Sequence, residues 1–221
     1  MAASEQKKMV SIAADGVHME GMLELPLHAV GIVLFAHGSG SSRLSPRNNY
    51  VAGVLRHAGL GTLLLDMLTP GEDQTYQTRF DISLLTQRLE AALTWLQRQG
   101  APLSTLPVGL FGASTGAAAA LRLAALSPRL VRAVVSRGGR PDLAGTDALD
   151  RVQAPTLLLV GGLDEVVIDL NRAAYDRMQC ERQLRIVPGA THLFEEPGTL
   201  ESVAQLAADW LFLHLTATRM P

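Results

Sequence analysis

Apolar runs and amphipathic stretches alternate along most of the chain, and that alternation sets the expected architecture. Residues 31–36, Gly-Ile-Val-Leu-Phe-Ala, hold no polar side chain, the mark of a strand covered on both faces. Residues 60–65, 106–111, 131–136, 156–160 and 183–187 are expected to be further strands. The stretches between them read as helices. Residues 48–57 are closed by Gly59, and residues 80–98 place Ile82, Leu85, Leu89, Leu93 and Leu96 on one face before Gly100 and Pro102 stop them. Alanine-rich residues 117–126 and residues 167–178 and 200–215 complete the helices, whereas residues 67–79, polar and holding Pro70-Gly71, read as loop. At the front, residues 9–13 and 17–25 flank Ala14-Asp15-Gly16, and Asp-Gly between apolar runs signals a hairpin.

Repeated strand and helix units with buried strands predict an α/β fold. The sheet should be doubly wound and mainly parallel, with helices on both faces and the hairpin antiparallel at one edge. The chain's 221 residues, 48% of them hydrophobic, suffice for one domain over 1–221, with residues 1–8 expected to form a flexible tail. In such a sheet, ligands meet the C-terminal ends of the strands. His37, Asp66, Ser114, Arg137, Asp164 and the region of His192 all fall just past predicted strands.

Charge and cysteine usage then narrow the partners. A net charge of −2 and a pI near 6.3 offer no electrostatic reason to bind nucleic acid or an anionic membrane. A small-molecule partner is expected, with the chain a monomer or homodimer. No apolar run approaches the ~20 residues that cross a bilayer, and the N-terminus lacks a signal peptide's apolar core, so a cytoplasmic location is expected. Cys180 is the sole cysteine, which excludes an internal disulfide and a thiolate metal cluster and fits a reducing compartment.

The chemistry centres on Gly112-Ala113-Ser114-Thr115-Gly116, set between the strand at 106–111 and the alanine-rich helix. A G-x-S-x-G turn joining strand to helix drives its serine out into solvent at a helix N-terminus. Cβ atoms at Gly112 or Gly116 would collide with neighbouring backbone in so tight a turn. Ser114 is therefore the candidate nucleophile. A serine nucleophile needs a base and a group that orients the base. Asp164, in Gly161-Gly162-Leu163-Asp164, and His192, in Gly189-Ala190-Thr191-His192, follow later strands. Asp66 and Asp142 are rivals for the acid role.

The order Ser, Asp, His, together with His37-Gly38-Ser39-Gly40, resembles the α/β-hydrolase superfamily. Within it, the chain is most similar to the small single-domain enzymes called dienelactone-hydrolase-like, over residues 30–215. The resemblance implies a triad of Ser114, Asp164 and His192 and an oxyanion hole formed by the Thr115 and Ser39 backbone N–H groups. It implies too that His37 props the oxyanion loop, and that no metal or organic cofactor takes part. One position departs from the dienelactone hydrolases themselves: their nucleophile is a cysteine and this one is Ser114. That difference points to a serine hydrolase cleaving a small ester, lactone or thioester through an acyl-enzyme. An acyltransferase, a peptidase and a non-catalytic binding protein of the same fold are the alternatives.

Arg137 and Arg140, in Ser136-Arg137-Gly138-Gly139-Arg140, admit two readings. They grip an anionic group of the substrate, as guanidinium forks do, or they pair with Asp142 or Asp66 to hold the loop. The short stretch between the strands at 131 and 156 leaves no room for a large cap domain, so an open, shallow site is expected. Met67, Leu68 and Phe194 either line it or pack beneath it.

Overall fold

A computed structural model describes residues 6–217. Eight strands form one sheet: β1 (Gln6–Ala14), β2 (Val17–Leu25), β3 (Gly31–Ala36), β4 (Leu60–Leu65), β5 (Val108–Ala113), β6 (Val131–Arg137), β7 (Thr156–Gly161) and β8 (Arg182–Val187). Their spatial order is β1-β2-β4-β3-β5-β6-β7-β8. β1 and β2 are antiparallel to each other, β2 is antiparallel to β4, and every later pairing is parallel.

Seven helices cover the sheet: α1 (Pro46–His57), α2 (Tyr76–Arg79), α3 (Ile82–Gln97), α4 (Thr115–Leu126), α5 (Thr146–Arg151), α6 (Glu165–Arg177) and α7 (Thr199–Thr216). Local chemistry starts the two helices nearest the N-terminus that carry caps. Ser45 caps α1 by accepting the Asn48 N–H at 3.3 Å, ahead of Pro46 in the first turn, and Asp81 caps α3 by accepting the Leu84 N–H at 3.0 Å.

Successive strand residues point to opposite faces, which splits the core in two. Leu34, Leu110 and Val134 pack with Leu85, Leu89 and Ala118 from α3 and α4. Phe35, Phe111 and Val135 pack on the other face with Val51, Leu55, Ala207 and Leu211 from α1 and α7. Phe35 and Phe111 lie with ring centroids 4.9 Å apart. This two-sided burial is why the central strands carry no alternation in the sequence.

Several boundaries differ from the sequence expectation. β1 begins at Gln6, so residues 6–8 of the expected tail belong to the sheet. The tight Asp15-Gly16 turn sets a register in which Gln6, Lys7 and Lys8 face Leu25, Glu24 and Leu23, and Lys7 pairs with Glu24 at 3.4 Å. The remainder of that tail, residues 1–5, lies outside the described residues. The expected loop at 67–79 contains a 3₁₀ turn, Glu72–Gln74, and the single turn of α2. β5 runs from Val108 to Ala113, two residues later than expected: the Leu106 N–H closes the preceding 3₁₀ turn on the Pro102 carbonyl, and Pro107 has no N–H for a ladder. Between β6 and β7 there is only a 3₁₀ turn, Pro141–Ala144, and the six residues of α5, so no large cap stands over the strand ends. Among the described residues, no helix is long and apolar enough to cross a membrane.

Candidate active site

Ser114 joins β5 directly to α4 with φ +51° and ψ −120°. A non-glycine residue in that region carries roughly 1–3 kcal/mol of strain and persists only where its surroundings over-determine it. Here they do. The Ser114 N–H donates to the Arg137 carbonyl at 3.2 Å, and the Ser114 carbonyl accepts from the Ala117 and Arg140 N–H groups, each at 3.1 Å. Serine at a helix N-cap ordinarily turns its oxygen back onto the helix; Ser114 makes no such bond, which leaves its hydroxyl for chemistry. The flanking glycines are sterically required, as the motif predicts. A Cβ on Gly112 would lie 2.4 Å from the Ala117 Cα, and one on Gly116 would lie 2.1 Å from the Ala36 carbonyl oxygen.

Asp164 stands at the exit of β7 as the N-cap of α6 and likewise makes no capping bond. Its Oδ2 instead accepts the His192 Nδ1–H at 2.6 Å. A carboxylate can only accept, so Nδ1 carries a proton, and in the neutral ring that leaves Nε2 as the acceptor. The two loops are laced together: the Gly162 and Leu163 N–H groups donate to the Val187 and Ala190 carbonyls at 2.8 and 2.9 Å. Glu196 accepts the Thr191 N–H at 3.0 Å, and Glu195 takes Arg47 at 2.7 Å. The His192 ring lies against Gly138, where a Cβ would sit 3.5 Å from Nδ1. Gly138 follows Arg137, whose carbonyl holds the Ser114 amide, so histidine and serine share one strand edge. Ser114 Oγ makes no hydrogen bond to a described residue; such bonds commonly tighten only when substrate is bound.

Both rival carboxylates are engaged elsewhere. Asp66 accepts the Arg43 N–H at 2.6 Å and pairs with the Arg43 guanidinium. Asp142 holds Arg140 through two bonds of 2.9 and 2.7 Å.

On the oxyanion side, the β3 exit runs tightly against the serine turn. A Cβ on Gly38 would lie 3.0 Å from the Ser114 Cβ. The Ser39 N–H donates to Thr115 Oγ1 at 3.1 Å, so one expected oxyanion donor is bonded to the side chain of the residue bearing the other. His37 is buried, donates from Nδ1 to the Gly38 carbonyl at 2.9 Å and accepts the Met67 N–H on Nε2 at 3.0 Å. Burial holds it below the ordinary histidine range. It is a neutral prop for the loop.

The model of the dienelactone hydrolase family matches residues 70–213. The chain belongs to the dienelactone hydrolase family. A solved structure of a dienelactone hydrolase from Anabaena variabilis is 53% identical, with a TM-score of 0.92 over 96% of this chain and 100% of that one. Est1E from Butyrivibrio proteoclasticus, at 16% identity and a TM-score of 0.81 over 95% and 99% of the two chains, shares the fold. A Mycobacterium tuberculosis protein named "Putative phosphoribosyl transferase" is 58% identical over 207 residues, which are 93% of this chain and 46% of that protein. The chain thus spans about half the length of that curated relative.

In this dienelactone hydrolase family member, Cys180 sits at the head of β8, the opposite end of that strand from His192, and burial pushes its thiol up from the ordinary range. Met67 and Phe194 are buried packing residues, Leu68 lines a small crevice with Ser39 and Thr115, and the exposed apolar side chains beside the acid and the base are Leu163, Val166 and Leu193. Arg140 spends its fork on Asp142, whereas the Arg137 guanidinium makes no hydrogen bond or ion pair with a described residue. Sequence reasoning did not find Arg47, Glu196 or the contact between Gly138 and His192. Only the Gly138-Gly139 pair hinted at a close approach there. Among the described residues, no cluster of three or more metal-ligating side chains occurs.

Proposed function

We propose that this hydrolase-family chain is a serine hydrolase that cleaves a small ester, lactone or thioester through an acyl-enzyme on Ser114. His192 Nε2 takes the Ser114 proton as Oγ attacks the carbonyl carbon. The oxyanion is received by the Thr115 and Ser39 N–H groups, the latter turning from Thr115 Oγ1 to the substrate. Collapse expels the leaving group with the proton held by His192; water, deprotonated by His192, then frees the acid. Asp164 keeps His192 in the productive tautomer throughout.

The observation that carries this reading is the 2.6 Å contact between His192 and Asp164 at the strand edge of an uncapped, positive-φ serine. Those are parts for acyl transfer, and they favour hydrolysis over the phosphoribosyl transfer named for the longer relative. A fluorophosphonate probe with intact-mass detection tests it. One adduct is expected on the unsubstituted chain and none on Ser114→Ala, whose turnover on short acyl esters should fall by ~10⁴ or more. Absence of labelling in the unsubstituted chain would favour a binding protein, and labelling combined with transfer to an added alcohol in place of water would favour an acyltransferase.

A further inference from the structure

Buried threonines in this fold usually hand their hydroxyl proton to a backbone carbonyl: Thr86 to Ile82 at 2.7 Å, Thr156 to Ala154 at 2.9 Å and Thr199 to Glu196 at 2.7 Å. Thr115 does not. It is 1% exposed, yet its Oγ1 only accepts, from the Ser39 N–H at 3.1 Å, and its proton goes to no described residue. As the first residue of α4 it has no helical carbonyl four residues back to take that proton. Its own N–H, at the same helix start, is likewise given to no described residue. One buried side chain and its backbone thus hold two unspent donors, a cost that asks for a use. Both stand at the catalytic serine: Thr115 follows Ser114, and it shares the small crevice with Gly38, whose Cβ, if added, would lie 3.0 Å from the Ser114 Cβ. With the Ser39 nitrogen and Thr115 Oγ1 3.1 Å apart, an oxygen atom within hydrogen-bond distance of one can sit at the same distance from the other.

We propose that the Thr115 hydroxyl is a third donor of the oxyanion hole, an inference that rests on the serine hydrolase reading. Oγ1 holds the Ser39 N–H beside the serine turn until the substrate's carbonyl oxygen takes on charge. The Ser39 N–H then turns to that oxygen, and the released hydroxyl donates to it alongside the two amides. Its proton stays on Oγ1 throughout, so the contribution is a hydrogen bond made in the transition state and not a proton transfer. A bond of that kind raises kcat and leaves KM nearly untouched.

The test compares the unsubstituted chain with Thr115→Val and Thr115→Ala, which lack the hydroxyl, and with Thr115→Ser, which keeps it. Each is measured on a short acyl ester and on the matching thionoester, whose sulfur is a poor hydrogen-bond acceptor, with active sites counted by a fluorophosphonate. Thr115→Val and Thr115→Ala should lose about 10²-fold in kcat with KM moved by less than about threefold, and Thr115→Ser should recover to within about fivefold of the unsubstituted rate. The ratio of ester to thionoester rates should fall about tenfold in the two variants without the hydroxyl and hold in Thr115→Ser. If Thr115→Val does not fold, Thr115→Ala carries the comparison. Hydroxyl-free variants as fast as the unsubstituted chain, or faster, would mean that Oγ1 only restrains the Ser39 amide, and the proposal would fall. So would a loss of rate shared by Thr115→Ser, or one with an unchanged thionoester ratio, since either marks a packing effect. In all of those outcomes the unsubstituted chain is labelled and active, and the hydrolase reading stands; an unsubstituted chain that neither labels nor hydrolyses the ester removes that reading and this proposal with it.

Discussion

Gly116→Ala is the sharpest test of how the serine turn is built. The added Cβ would lie 2.1 Å from the Ala36 carbonyl oxygen and 2.5 Å from that of His37. An ordinary carbon to oxygen contact is about 3.3 Å, so the shortfall is about 1.2 Å. Both obstructing atoms are backbone, at the end of a central strand paired on either side, and neither can rotate away. The β3 exit and the start of α4 must therefore separate by about that distance. Overpacking of this kind costs about 1–3 kcal/mol, a fall in Tm of roughly 2–12 °C for a chain of this size. The same movement carries the Ser39 and Thr115 amides apart, and a displacement of about 1 Å at a reacting centre can cost about 10²-fold in rate. Thermal unfolding and kcat on a short acyl ester would be measured beside Gly71→Ala, whose Cβ meets nothing within 4 Å. A Gly116→Ala protein with Tm and kcat indistinguishable from the unsubstituted chain would refute the argument that backbone proximity, not conformational freedom alone, demands glycine there.

Asp164→Asn should lower kcat by about 10³–10⁴-fold, because an amide facing Nδ1 favours the wrong histidine tautomer; a loss under tenfold in ester hydrolysis would remove Asp164 from the triad. Burial holds His37 below 6.5 in the folded chain, so as pH falls the unfolded chain takes up that proton first. The stability His37 contributes is present above 6.5 and is lost as pH drops through that value toward the lowered folded pKa. A scan of Tm against pH should therefore be flatter below 6.5 in His37→Gln, and an unchanged slope would contradict the neutral assignment.

Much of the site could be read from residue order because its constraints are local. The serine turn needs small residues at fixed offsets, and Gly112 and Gly116 meet backbone where the motif requires it. Asp164 and His192 each close a strand exit, and the 2.6 Å bond between them follows once β7 and β8 are neighbours. The pairing of Arg140 with Asp142 was one of the two readings the sequence offered, whereas the fates of Asp66 and Arg137 were not legible, since each depends on its surroundings in space. Arg43 claimed Asp66 from 23 residues away, and Asp142 claimed Arg140 from two. The start of β1 was missed for a related reason: Gln6, Lys7 and Lys8 are polar, and only pairing with β2 makes them strand.

By itself the sequence determined the alternation of buried strands and amphipathic helices, the hairpin turn and the serine elbow, because periodicity and turn chemistry act over a few residues. Tertiary structure alone decided that Arg43 takes Asp66, that the Ser39 amide rests on the Thr115 hydroxyl, and that Arg137 is buried without a counter-charge. Those outcomes turn on distances of a few ångströms between segments far apart in the chain, and short-range electrostatics and desolvation depend on distance and burial rather than on residue order.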